Sequence, residues 1–139
     1  MPEARKLHIG GTARVAGWEI LNITPGSHVD HVGNANDLSR FADGVFAEVY
    51  ASHTLEHFDY TGDLERALKE WSRVLSPGGT IYLSVPDLEV LAKLLLVKEE
   101  LTIHDRFMVG IFNDTSELLF KGIPISLNVL AVKPTTSAP

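Results

Sequence analysis

A β-prone run, an amphipathic helix and a second β-prone run follow one another between Phe46 and Val85, and this order constrains the fold more than any other feature of the chain. Apolar residues at Leu64, Ala67, Leu68, Trp71, Val74 and Leu75 keep the i, i+3, i+4, i+7 spacing that gathers them on one helix face. Thr61 and Asp63 offer capping oxygens at the start of this segment, and Ser76-Pro77-Gly78-Gly79 predicts a turn at its end. The flanking runs are Phe46 to Ala51 and Thr80 to Val85, and the near-unbroken apolar stretch Ile81 to Val85 suits a strand covered on both faces. A helical crossover of this length joins parallel neighbours, so the class is α/β.

Four more short β-prone runs, at Leu7 to Ile9, Trp18 to Ile23, Val29 to Val32 and Ile125 to Val132, bring the predicted strands to six. After Pro86, the spacing of Leu88, Leu91, Leu94 and Leu95 predicts a helix, and Ile103, Phe107 and Ile111 predict another. With 139 residues and no linker or repeat, one domain is expected over residues 1–133, followed by a flexible tail at 134–139 rich in Pro, Thr and Ser. The chain has no cysteine, which excludes disulfides and thiolate metal sites. A net charge of -6 argues against a nucleic-acid partner. Met1 to Lys6 lacks a signal-peptide core, and the longest apolar-rich run, Leu88 to Val97, includes Glu89 and Lys93, so neither export nor a membrane span is expected and the location should be cytoplasmic.

Leu7-His8-Ile9-Gly10-Gly11 reads as a first strand ending in paired glycines, the place where an open parallel sheet lets a nucleotide-like ligand approach the backbone. By itself such a pair is more often a plain turn, and it completes neither a dinucleotide fingerprint nor a P-loop. Later segments change this. Gly17 to Asn22, Val32-Gly33-Asn34-Ala35-Asn36-Asp37-Leu38, Phe46 to His57 and Arg73-Val74-Leu75-Ser76-Pro77-Gly78-Gly79-Thr80 follow in an order that resembles the class I S-adenosylmethionine-dependent methyltransferases of the type 11 group. The last segment is the most specific, and the resemblance spans roughly Lys6 to Leu96 plus Pro124 to Lys133.

The resemblance implies a doubly wound, mostly parallel Rossmann-like sheet with helices on both faces and an antiparallel last strand. It implies S-adenosyl-L-methionine as cofactor, held by Gly10, Gly11, Asn22, Asn34, Asp37, Leu38, Ser52 and His53. In the family an acid at the end of the second strand usually holds the ribose hydroxyls; Asn22 stands there in this chain and would make weaker contacts than a carboxylate. The family usually continues after the fifth strand with more helix and a sixth strand, for which this chain leaves little sequence, so one strand is expected to be missing.

Methyl transfer needs alignment and water exclusion more than a nucleophile, but an ammonium or hydroxyl acceptor must lose a proton. His53 and His57 are the candidates for that base, since imidazole titrates near neutrality; the bland reading gives them structural and backbone roles. His53 to His57 also spells H-x-x-E-H, a zinc-peptidase pattern, but it directly follows a β-prone run and no third ligand stands out, so no metal is expected. Trp71 reads as core, His8 as packed or edge-exposed, His31 as surface and Glu70 as a solvated face. The expected function is methyl transfer to an unidentified acceptor. The alternatives are a shortened methyltransferase fold that no longer turns over and serves as a binding or assembly module, and, third, a nicotinamide dehydrogenase. An uncharged last strand left at the sheet edge would invite a homodimer.

Overall fold

The computed structural model of the chain describes residues 3–87, 119–120, 123–124 and 126–135. Strands β1 (Lys6–Ile9), β2 (Glu19–Asn22), β3 (His31–Val32), β4 (Phe46–Ser52), β5 (Leu75–Pro86) and β8 (Ser126–Val132) form one six-stranded sheet in the order β3-β2-β1-β4-β5-β8. Two short strands, β6 (Leu119–Phe120) and β7 (Ile123–Pro124), pair with each other separately. Every neighbouring pair of the main sheet is parallel except β5 with β8. This is the mostly parallel sheet with an antiparallel last strand that the sequence predicts. Among the described residues nothing pairs with the outer side of β8. The helices expected from Leu88 to Leu95 and around Phe107 lie outside the described residues.

Strand order reverses direction between β1 and β4, which opens a crevice at the carboxyl ends of the strands. Helix α1 (Asp63–Val74) closes one face of the sheet by burying Ala67, Trp71 and Val74 against Leu7, Ile9, Leu21, Val49 and Ala51. Trp71 is fully buried, and its indole Nε1 donates to the Ala35 carbonyl at 2.7 Å, so the large ring brings no unpaired donor into the core.

Four local expectations are corrected. The helix N-cap is Gly62, without a side-chain cap; Thr61 instead turns its hydroxyl onto Asp59 Oδ1 at 2.9 Å. Leu68 is exposed, because the buried stripe runs through residues 67, 71 and 74. Ser76-Pro77-Gly78-Gly79 does not separate helix from strand: Leu75 pairs with Phe46, and the ladder resumes at Thr80 opposite Glu48, so the four residues bulge out of β5. Gly78, at φ +77, allows this bulge, and its N–H donates to Lys133 O at 2.9 Å. Glu70 is no free surface acid: its Oε2 accepts from the Leu38 N–H at 2.8 Å and its carboxylate pairs with Arg73.

The first two strands and the third are tied by Glu19. Its carboxylate takes both Arg5 Nε, at 2.6 Å, and an Arg5 terminal nitrogen, at 2.8 Å, and meets His31 Nε2 at 2.8 Å, so His31 is half-buried rather than a plain surface residue. The Arg5 hydrogen bond leads in holding the Glu19 carboxyl down to about 2, with burial opposing and His31 adding to it. A carboxyl lowered on folding stabilises the protein above its unfolded pKa near 4.5, and this stabilisation disappears as the pH falls toward 2. Solvent around Arg5 screens the pair, so Glu19→Gln is expected to remove roughly 1–2 kcal/mol at pH 7 and to flatten the acid limb. Urea unfolding at a series of pH values checks this; an unchanged acid limb would assign the loss to other carboxylates.

Candidate functional site

A cleft of about 460 Å³ opens at the carboxyl ends of β1, β2, β3 and β4. Ile9 and Gly10 form one side, Leu21, Asn22 and Ile23 the next, and Gly33 to Asn36 the third. Ser52, His53 and Thr54, then His57, Phe58 and Asp63, form the opposite wall. The strand ends hold the loops in place: the Gly10 N–H donates to Leu21 O at 2.8 Å, and the Gly33 N–H donates to Asn22 O at 3.0 Å.

Gly10 turns at φ +77, and a Cβ there would sit 2.9 Å from Thr54 Oγ1 across the cleft edge. Only a glycine leaves the backbone open to a ligand at this point. On the far wall His53 adopts φ +50, the only positive-φ non-glycine among the described residues, and its N–H donates to Ser84 O at 2.7 Å. A non-glycine residue in this region costs on the order of 1 kcal/mol or more and persists only because its surroundings hold it.

Of the residues expected from sequence, Gly10, Asn22, Asn34, Ser52, His53 and His57 come together on this cleft. Three do not. Leu38 is fully buried in the core, packed with α1. Asp37 is exposed and folds back to accept from the Ser39 N–H at 3.1 Å, which lowers its carboxyl below the usual range. Gly11 is buried outside the lining, where a Cβ would strike the His8 ring at 2.8 Å. His8 itself is buried and meets the Tyr50 ring edge-on at 4.7 Å.

Other lining residues escaped the sequence reading. Asn36 donates Nδ2 to Asp63 Oδ1 at 3.2 Å, joining the loop after β3 to the first turn of α1, while its N–H is held by Asn34 Oδ1. The repeated Asn34-x-Asn36 spacing is a turn signal that could have found this pair. Glu56 was also missed as a site residue. Its carboxylate oxygens are buried without a hydrogen bond, and Oε1 lies 3.5 Å from His53 Nδ1 and 4.0 Å from His57 Nε2. The Ser52 and Ser84 hydroxyls are buried without a partner as well. Among the described residues no cluster of His, Asp and Glu could hold a metal ion, and no Lys or Arg lines the cleft.

Residues 19–83 match the family model of a methyltransferase domain. No curated protein sequence matches the chain. Among solved structures, a chain of the complex between the Haloferax volcanii Trm112 methyltransferase activator and a methyltransferase aligns with a TM-score of 0.55 at 16% identity, over 99% of this chain and 85% of its own. The PH0226 protein of Pyrococcus horikoshii aligns with a TM-score of 0.52 at 23% identity, over 73% of this chain and 56% of its own. The chain spans about half the length of several solved structures that it matches. The sheet is therefore that of the Rossmann-like methyltransferase fold, and residues 19–83 carry its methyltransferase-domain match.

Proposed function

We propose that the cleft binds S-adenosyl-L-methionine and that the chain serves methyl transfer to an acceptor. The observation that carries this reading is a glycine-floored cleft at the switch point of the sheet, with Asp63 and, among the described residues, no Lys or Arg on its walls. A dinucleotide's pyrophosphate needs a helix N-terminus after the glycine turn, and residues 11–18 form no helix; a sulfonium ligand brings positive charge, which Asp63 on the wall can meet. The space above Gly10, which a Cβ would fill, and the buried Ser52 hydroxyl fit a nucleoside-sized ligand. Gly10, Asn34, Ser52 and the His53 backbone would hold it. Bound there, S-adenosylmethionine supplies a methyl group on an activated sulfonium carbon.

The chain's own part is orientation, water exclusion and removal of a proton from the acceptor. His53 and His57 are the bases assigned to that proton, at an imidazole nitrogen; Glu56, within 4.0 Å of both, stabilises the imidazolium formed. Parallel calorimetric titrations with S-adenosylmethionine, S-adenosylhomocysteine and NAD test this reading. Binding of the first two in the micromolar to hundreds-of-micromolar range, without NAD, is expected. NAD binding alone would replace it with a dehydrogenase. Cofactor binding without turnover on any acceptor would favour the binding-module alternative.

Assembly follows from β8. All its described side chains are exposed, with Leu127, Val129, Leu130 and Val132 between 45% and 61% accessible, on a strand whose outer edge is unpaired among the described residues. A charge-free apolar edge of this kind invites strand pairing. A two-fold homodimer through β8 is expected, and Leu127→Lys or Val129→Lys should dissociate it. Light scattering on a sizing column decides: a monomer of 15.3 kDa at tens of micromolar would remove the dimer. Among the described residues no helix is long and apolar enough to cross a membrane.

A further inference from the structure

We infer that Asn22 is a positioning residue that braces the glycine loop, not a ligand of the ribose hydroxyls, an inference that rests on the cofactor reading above. Asn22 ends β2, half-buried, at the point where the loops after β1, β2 and β3 converge. Its side-chain Nδ2 donates to Gly11 O at 3.0 Å, and its Oδ1 accepts from the Thr24 N–H at 2.9 Å. Its main-chain oxygen accepts from the Gly33 N–H at 3.0 Å. The partners fix which way the amide faces, because a carbonyl oxygen can only accept and a backbone N–H can only donate. One residue thus ties three cleft-forming loops together, with both ends of its side chain engaged.

The Gly11 carbonyl is the reason for an amide at this position. A carboxylate could keep the Thr24 contact but has no proton for Gly11 O, and would hold a negative oxygen about 3 Å from a carbonyl oxygen. The loop would be pushed away, and with it Gly10, whose own N–H is held by Leu21 O. The acid usual at this position therefore works against the loop in this chain. Its presence should weaken cofactor binding, although a carboxylate facing ribose hydroxyls would strengthen it.

The two roles respond to pH with opposite signs. Once protonated, the carboxyl introduced by Asn22→Asp regains a donor for Gly11 O, so a brace recovers as the pH falls; a ribose contact through the charged form would fade. The titratable groups around the cleft and on the β3 side are Glu19, Asp30, His31, His53, Glu56, His57 and Asp63. They are common to both proteins, and the ratio of variant to wild-type affinity at each pH cancels their titration.

The experiment is a calorimetric titration of S-adenosylhomocysteine into wild type, Asn22→Asp and Asn22→Ala from about pH 8 to about pH 4, with amide hydrogen exchange of the ligand-free proteins. Asn22→Asp is expected to bind about tenfold or more weakly at the upper end, with the ratio narrowing as the pH approaches the ordinary aspartate value of about 3.9. Asn22→Ala should show a loss whose ratio to wild type does not change with pH. Exchange at Gly10 should speed up in both variants, and at Thr24 in Asn22→Ala, whereas Asn22→Asp keeps an acceptor for the Thr24 N–H; α1 should keep its protection in both, which also shows that they fold. Tighter binding by Asn22→Asp, with an advantage that shrinks at low pH, would overturn the inference in favour of a ribose contact. Unaltered exchange at Gly10 in both variants would overturn it without any ligand. Failure of wild type to bind S-adenosylhomocysteine would refute the cofactor reading instead, and the exchange data would still decide the brace.

Discussion

Gly10→Val should abolish S-adenosylhomocysteine binding, by more than about 100-fold, in a protein that remains folded. The residue sits at φ +77, where an L side chain costs about 1–2 kcal/mol and a β-branched one more. A Cβ would also lie 2.9 Å from Thr54 Oγ1, which is held by its own bond to the Ser52 carbonyl at 3.2 Å. Relief requires either the loop or the opposite wall to move, and both line the cleft. Calorimetry for binding and a thermal melt for folding check the result. A folded Gly10→Val protein with unchanged affinity would take this loop out of the site.

Arg73→Ala should destabilise the domain by ~2–4 kcal/mol, the largest loss expected from any charged residue in it. Arg73 donates to the Phe41 and Leu38 carbonyls, each at 2.9 Å, and its Nε meets Glu70 Oε1 at 2.7 Å. Glu70 in turn holds the Leu38 N–H, so this one pair locks the loop after β3 onto α1 and seats Leu38 in the core. Truncation takes the guanidinium from the Phe41 carbonyl, leaves the Leu38 carbonyl only the Phe41 N–H, and leaves the Glu70 carboxylate only the Leu38 N–H. The further contact to Asp43, itself 81% exposed, adds little. Arg73→Lys should rescue only part of the loss, because an ammonium cannot span the carbonyls and the carboxylate at once. Urea unfolding measures it, and a change below about 0.5 kcal/mol would mean that packing alone fixes the loop.

Much of the fold was legible because its signals are local. The stripe Ala67, Trp71, Val74 announces the helix from spacing alone, and the apolar run Ile81 to Val85 announces a strand, although that strand is half-buried rather than covered on both faces. The cleft lining was legible at Gly10, Asn22, Asn34, Ser52, His53 and His57, which end strands or follow them closely. Gly10 and Gly11 look alike in sequence, yet the first faces the cleft and the second the His8 ring. That difference depends on a φ angle and on a neighbour from the same strand, neither of which leaves a sequence signal. Asp37 and Leu38 lie off the cleft for a similar reason: after the Asn34 to Asn36 turn Leu38 is buried in the core and Asp37 is exposed, so the lining ends two residues earlier than the motif suggests. Glu56 entered the sequence reading only as the glutamate of the H-x-x-E-H pattern, because its place beside His53, with both oxygens buried, depends on the tertiary fold.

Amide chemical-shift mapping of the wild-type protein with S-adenosylhomocysteine tests the central claim most directly, because it reports both binding and place. Expected are saturable shifts at Gly10, Asn34, Asn36, Ser52 and His53, with α1 beyond Asp63 and the β8 amides unmoved. Shifts absent at saturating ligand, or confined to residues outside this cleft, would contradict a cofactor site at the carboxyl ends of β1 to β4.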